Sequence, residues 1–275
     1  MPTEALRSLV LLVADDELII GHRDSEWTGH APIIEEDIAF SSIAQDELGH
    51  SLAWYTIYEQ LGGGTPDEVA FSRSPQSFTC CHFVEHPKGD WAYTIVRQYL
   101  YDTAEKVRLE AFQQSSSAPL RELASKILPE EHYHLLHSRS WVERLGDATP
   151  ESHRRMQFAL DEAFPAAVGM FESFEGEQEL TANGVFPGHQ DLLGQWLDEV
   201  VPVCSRSGLK PPVRQKPDAH GEASGEVARR GTVKRSWAAD CVPEYGGRRG
   251  KHTEHLKELL DAMQMVYRLE PNARW

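Results

Sequence analysis

Apolar residues recur at helical spacing along most of the chain. Residues 4–24 carry Leu6, Leu9, Val10, Val13, Leu18 and Ile20, a stripe that predicts one amphipathic helix. Gly29 and Pro32 break it, and a second helix is expected from about residues 32–36 to Leu61, where Gly62 and Gly63 stop the run. After a connection with one short helix near residues 66–72, further helices are expected over Trp91–Gln114, Leu120–Leu145, Pro150–Phe174 and Pro187–Ser207. A last one covers His252–Tyr267. No period-two alternation competes with these elements. Long amphipathic helices joined by short breaks predict an all-α protein built on an antiparallel four-helix bundle with additional C-terminal helices.

Residues 207–250 differ. They are rich in Gly, Pro, Ser and charge, and an irregular arm is expected there, ordered in part by Trp237 and Tyr245. The expected organisation is a helical bundle over 1–206, the arm over 207–250, and a C-terminal helix within 251–275 packing back on the bundle.

Charge and cysteine usage narrow the function classes. The chain has 27 Lys and Arg against 43 Asp and Glu, a formal net charge of −16, so binding to a phosphate backbone is disfavoured. The four cysteines, Cys80, Cys81, Cys204 and Cys241, form no C-x-x-C pair. A thiolate zinc site is therefore not expected, and the adjacency of Cys80 and Cys81 argues against a disulfide framework. The apolar N-terminal run is interrupted by Asp15, Asp16 and Glu17 and lacks a small-residue cleavage site, so it reads as neither a secretory signal nor a membrane span. A cytoplasmic protein is expected.

The chemistry sits on the helices. Glu47 and His50 stand three residues apart beside the apolar face of the second helix, and Glu131 and His134 repeat the pattern on the fourth. Positions i and i+3 share a helix face, so each pair can ligate one ion. Carboxylate-bridged dimetal bundles combine two such E-x-x-H units with one carboxylate from each of the other two helices. Glu17 and Asp102 meet that requirement: Glu17 precedes Glu47 by 30 positions and Asp102 precedes Glu131 by 29. Near-equal separations suit antiparallel helix pairs crossing one layer. Asp16 and Glu105 compete for these places but fit the spacing less well. Glu17, Glu47, His50, Asp102, Glu131 and His134 are thus the candidate metal ligands, and their hard oxygen and imidazole donors suit iron or manganese. Glu35, Glu36, Glu130, His132 and His137 read as helix-end or outer-face groups, with His132 and His137 as possible partners of the ligands. Arg248, Arg249 and Lys251 read as a solvated basic loop, with a contact to CoA phosphates or a partner subunit as the alternative. No Ser-His-Asp, P-loop or dinucleotide-binding pattern is present.

The segments "DSEWTGHAPIIEEDIA", "HPKGDWAYTIVRQYLYD", "EEHYHLLHSRSWVERLGDATPESHRRMQ" and "GGRRGKHTEHLKELLDAMQ" resemble the phenylacetate-catabolism family, specifically its PaaC-type subunits of phenylacetyl-CoA epoxidase. The resemblance covers about residues 5–175 and 246–275 and leaves out the arm. It implies a ferritin-like fold. It also implies a PaaA-type partner whose two iron ions epoxidise the ring of phenylacetyl-CoA with dioxygen and electrons from a separate flavin/iron–sulfur reductase. A dimer and an aryl-CoA thioester substrate follow from the same resemblance. PaaC-type subunits of the family act as scaffolds with a degraded metal set, whereas this chain keeps six ligand positions; one Asp in the set has a parallel in benzoyl-CoA epoxidase. The expectation is therefore a di-iron oxygenase-type subunit of the epoxidase. A non-catalytic assembly subunit is the alternative, and a ferritin-type iron-binding or peroxide-detoxifying protein is a third.

Overall fold

A computed structural model describes residues 3–216 and 237–270. Four long helices carry the bundle: α1 (Thr3–Ser25), α2 (Ile34–Gln60), α5 (Trp91–Gln113) and α6 (Ala118–Ala148). Between them lie the short helices α3 (Pro66–Phe71) and α4 (His82–Glu85). After them come α7 (Pro150–Gly169), α8 (Glu177–Ala182), α9 (His189–Arg206), α10 (Glu254–Met263) and α11 (Met265–Leu269). The expected all-α class holds.

Cross-helix contacts fix the directions. Thr28, just after α1, meets Ser41, Gly21 faces Ala44 and Glu47, and Ser51 Oγ donates to the Ala14 carbonyl, so rising numbers on α2 meet falling numbers along α1. Ser138 against Asp102 and Gln113 against Ser125 make α5 and α6 antiparallel in the same way. Gly21 explains how closely α1 and α2 approach beside Glu47. A Cβ there would stand 3.0 Å from the Glu47 Cβ and 3.3 Å from the Ala44 carbonyl oxygen.

The sequence explains the ends and the core. Asp90 caps α5 by accepting from the Tyr93 N–H at 2.9 Å, and Thr149 with Ser152 forms a capping box for α7. Leu9, Val10, Val13, Phe40, Trp54, Ile95, Leu100 and Phe112 fill the interior. Trp196 on α9 packs against α5 and donates its indole N–H to the Leu100 carbonyl at 2.9 Å, which satisfies the one polar atom of a fully buried ring. Trp27, in the turn after α1, is buried and donates to Thr94 Oγ1 at 2.9 Å.

Two expectations are corrected. The helix expected to reach Phe174 stops at Gly169, where a Cβ would lie 2.3 Å from the Glu244 carbonyl oxygen, so the returning chain packs against that end. The partial order expected in the arm includes a short pairing: β1 (Val213–Gln215) and β2 (Trp237–Ala239) run antiparallel with Arg214 opposite Ala238, and residues 217–236 of the expected arm lie outside the described residues. Arg248 is no solvated loop group. It is buried, its guanidinium donates to Asp16 at 2.6 and 2.8 Å, and further bonds go to the carbonyls of Thr79 and Met170. The same return is held at His252, whose Nδ1 lies 2.7 Å from Glu85 Oε1 while Thr253 N–H and Oγ1 donate to Glu85 Oε2. All four cysteines are free thiols.

Candidate metal centre

The two E-x-x-H units face each other across the bundle interior. Oxygens of Glu17, Glu47 and Glu131 and a ring nitrogen of His50 lie within 4.8 Å of one another. His50 Nδ1 is 3.2 Å from Glu131 Oε1 and 3.9 Å from Glu17 Oε2. His134 Nδ1 joins from the other side, 3.3 Å from Glu131 Oε1 and 3.5 Å from Glu47 Oε1. The three glutamates are fully buried and the two histidines nearly so.

Polar satisfaction shows what this cluster is suited to hold. Both oxygens of Glu17, Glu47 and Glu131, and Nδ1 of His50 and His134, are buried without a hydrogen-bond partner. Such atoms are costly to bury unless a cation or proton offsets them. A divalent metal fits this donor set of carboxylates and imidazoles.

The electrostatics agree with that reading. Burial pushes Glu47 well above the usual carboxylate range, and the Glu131 and Glu17 carboxylates push it further. Burial likewise raises Glu17. Burial opposes charge on Glu131 too, but His134 and His50 outweigh it and hold that carboxyl low. Burial works to discharge His50, yet Glu131 and Glu17 raise it to about 9, and Asp46, Glu131 and Glu47 raise His134 against the same effect. Three carboxylates this close cannot all be ionised without compensating positive charge.

The outward nitrogens of both imidazoles are braced by carboxylates. His50 Nε2 lies 2.8 Å from Glu130 Oε2, and His134 Nε2 lies 3.2 Å from Asp46 Oδ2. Each brace stands immediately before the glutamate of the opposite helix's own E-x-x-H unit. With Nε2 directed outward to a carboxylate, Nδ1 faces inward, where it would present its lone pair to a metal that displaces its proton. The reading of Glu130 as an outer-face group missed this role, and Asp46 was not singled out. The available signal was an acidic residue directly before each E-x-x-H. His137 pairs instead with Glu36 at 2.8 Å.

Asp102 stands apart from the four-residue group. It is buried, but Oδ1 accepts from Gln98 Nε2 at 2.7 Å and Oδ2 from Ser138 Oγ at 2.6 Å. Burial and the nearby Glu131 push its carboxyl well above the usual range. The competing carboxylates are engaged elsewhere: Glu105 is paired with Arg108, and Asp16 with Arg248.

The family model described as phenylacetic acid catabolic protein matches residues 1–275. The chain belongs to the phenylacetic acid catabolic protein family. The match includes the arm that the resemblance in the sequence left out. The C subunit of the 1,2-phenylacetyl-CoA epoxidase of Escherichia coli (strain K12) is 30% identical over 271 residues, which is 98% of this chain and 99% of that protein. The A subunit of the same epoxidase is 23% identical over 244 residues, 85% of this chain and 77% of that protein. No helix among the described residues is long and apolar enough to cross a bilayer.

Proposed function

We propose that the chain is a metal-binding, oxygenase-type subunit of a ring 1,2-phenylacetyl-CoA epoxidase, acting in the cytoplasm in aerobic aromatic catabolism. The observation that carries the metal part is the convergence of partnerless buried donor atoms from Glu17, Glu47, His50, Glu131 and His134. The full-length similarity to the C subunit carries the assembly part. Glu17, Glu47, His50 and Glu131 would hold one ion, and His134 with Glu47 and Glu131 would hold a second, joined by Asp102 if it exchanges its bonds to Gln98 and Ser138. Iron is the proposed metal, with manganese as the chemical competitor. A pair of iron ions bound there, supplied with electrons by a separate flavin/iron–sulfur reductase, would provide the reducing chemistry that activates dioxygen for attack on an aryl-CoA ring.

The chain's own residues have defined parts. Glu130 and Asp46 keep each imidazole oriented with Nδ1 inward. Phe112 packs edge-on against Trp54 at 5.6 Å between ring centroids, and these fully buried rings help exclude water from the interior. Glu131 lies within reach of both imidazoles and Glu47 within reach of His134.

A second reading has a specific observation in its favour. Both oxygens of Asp102 already have donors, so the sixth ligand is satisfied without metal. That favours an assembly subunit of the same epoxidase, in which the chemistry belongs to the A-type partner. The deciding experiment reconstitutes the complex with reductase, phenylacetyl-CoA and 18O-labelled dioxygen, using a partner whose own metal ligands have been replaced. Label in the epoxide supports the oxygenase reading; label only with the intact partner supports the assembly reading.

A further inference from the structure

Among the described residues, half of the twelve exposed large hydrophobics cluster on one face. Ile33, Ile34, Ile38 and Leu52 belong to α2 or its start, and Tyr133 and Leu136 to α6. They are not scattered. At 100° per residue, Ile34, Ile38, Gln45, Gly49 and Leu52 fall on one stripe of α2 about 27 Å long. Tyr133 and Leu136 continue the face across a cleft of about 240 Å³ lined by Ala39, Ser42, Ile43, Asp46, Glu130 and His134, among others.

Gly49 gives the stripe its meaning. It sits inside a 27-residue helix, is exposed, and a Cβ built on it would meet nothing within 4 Å. Glycine weakens a helix interior relative to alanine. Nothing within the described chain uses the space that its missing side chain leaves. Gln45 and Leu52, one turn to either side, are both exposed, so Gly49 is a notch between two projecting side chains. A notch of this kind is what a ridge on a second helix needs to approach closely.

Charge chooses among occupants. The acids of α2 that reach solvent are Glu35, Asp37, Asp46 and Glu59, joined by Glu130 on α6, and α2 has no Lys or Arg. A second copy would set these acids against their own kind. A helix with an apolar ridge flanked by Lys or Arg is complementary. Two neighbouring helices, each roughly 10 Å wide, give a patch of roughly 500 Å², or about 1,000 Å² counting both partners, the lower bound for a specific contact.

We propose that the outer face of α2 and α6 is the docking surface for a basic-flanked helix of an unlike subunit, the A-type chain. The proposal rests on the assembly part of the function above. Docking there covers Glu130 and Asp46, whose side chains are 56% and 38% exposed. The partner would thereby remove from solvent the two carboxylates that orient His50 and His134.

The test is analytical ultracentrifugation of the full chain with the A-type subunit of its own organism, for wild type, Gly49→Leu and Ile38→Gln. Both variants change exposed helix positions, and their melting temperatures are measured alongside; Phe158→Glu, on exposed α7 surface, is the control. Expected is a loss of roughly 10-fold or more in affinity for the two α2 variants and none for the control. Wild-type-like binding by both α2 variants overturns the docking surface and leaves the proposed function standing. No binding by the wild-type chain overturns both. A self-associating chain whose dimer is lost in the same variants shows that a second copy is the occupant, and overturns the unlike partner.

Discussion

His50 on α2 is held by Glu130 on α6 at 2.8 Å, and the relationship is returned by His134 on α6 with Asp46 on α2 at 3.2 Å. Each helix braces the other's imidazole with the residue just before the glutamate of its own E-x-x-H unit. The exchange ties the orientation of both rings to the packing of α2 on α6. Glu130→Ala or Asp46→Ala is expected to weaken metal affinity about 10–100-fold, because the ring loses the acceptor that fixes its tautomer. Both side chains are partly exposed, so the metal-free melting temperature should change little. Competition with a chelator of known affinity measures the first quantity, and differential scanning calorimetry the second.

The buried pair of Asp16 and Arg248 ties the returning C-terminal segment to α1. Breaking a buried pair by removing one partner leaves the other charge uncompensated, at about 3–5 kcal/mol. Arg248→Met should cost that much in urea unfolding. Asp16→Asn combined with Arg248→Met should cost less than the two single changes added together. Simple additivity would mean that the two residues act independently.

Two glycines should respond in opposite directions. Gly49→Ala places its methyl group in open space and should stabilise the isolated chain by about 0.5–1 kcal/mol. Gly247→Ala would put a Cβ 2.1 Å from the Cys80 carbonyl oxygen and should destabilise the chain by about 1–3 kcal/mol. Thermal melts of the two variants against wild type check both signs.

Acid should weaken the fold before most carboxylates titrate. Burial, with Arg23 nearby, lowers His22 to about 4, and burial lowers His86 to about 4 although Glu85 opposes it. Arg97, His255 and His82 add to the effect at His86, whose Nδ1 also meets Tyr93 Oη at 2.9 Å. A folded-state pKa below the unfolded value near 6.5 means that the native state binds fewer protons. The stability is therefore fully present above about pH 6.5 and is lost as pH falls toward about 4. Partial exposure limits the effect to roughly 1–2 kcal/mol for each histidine. His22→Gln with His86→Gln should flatten the dependence of the urea midpoint between about pH 6.5 and 4.

The helices that carry the candidate ligands were legible because their signals are local. Glu47 with His50, and Glu131 with His134, need only the i, i+3 rule, and the thirty-residue offsets of Glu17 and Asp102 follow from antiparallel helices of equal reach. What sequence did not carry was set by contacts between distant segments. The Ser138 hydroxyl that occupies Asp102 lies one helix away. Glu130 looked like a surface acid because it is more than half exposed, yet its tip reaches His50 on another helix. Arg248 sits in a glycine- and arginine-rich loop whose composition reads as solvated, and only the three-dimensional return of the chain buries it on Asp16. The two short strands are too brief for any alternation to register.

The central claim is that Glu17, Glu47, His50 and Glu131 form a metal site. The most direct measurement is metal content by inductively coupled plasma mass spectrometry on protein produced with ample iron, for wild type and for the Glu47→Ala, His50→Ala double variant. The account predicts at least one iron per wild-type chain, approaching two when Asp102 joins, and none bound stoichiometrically by the double variant although it remains folded. Wild-type protein without stoichiometric metal, or a double variant that retains it, would contradict the account.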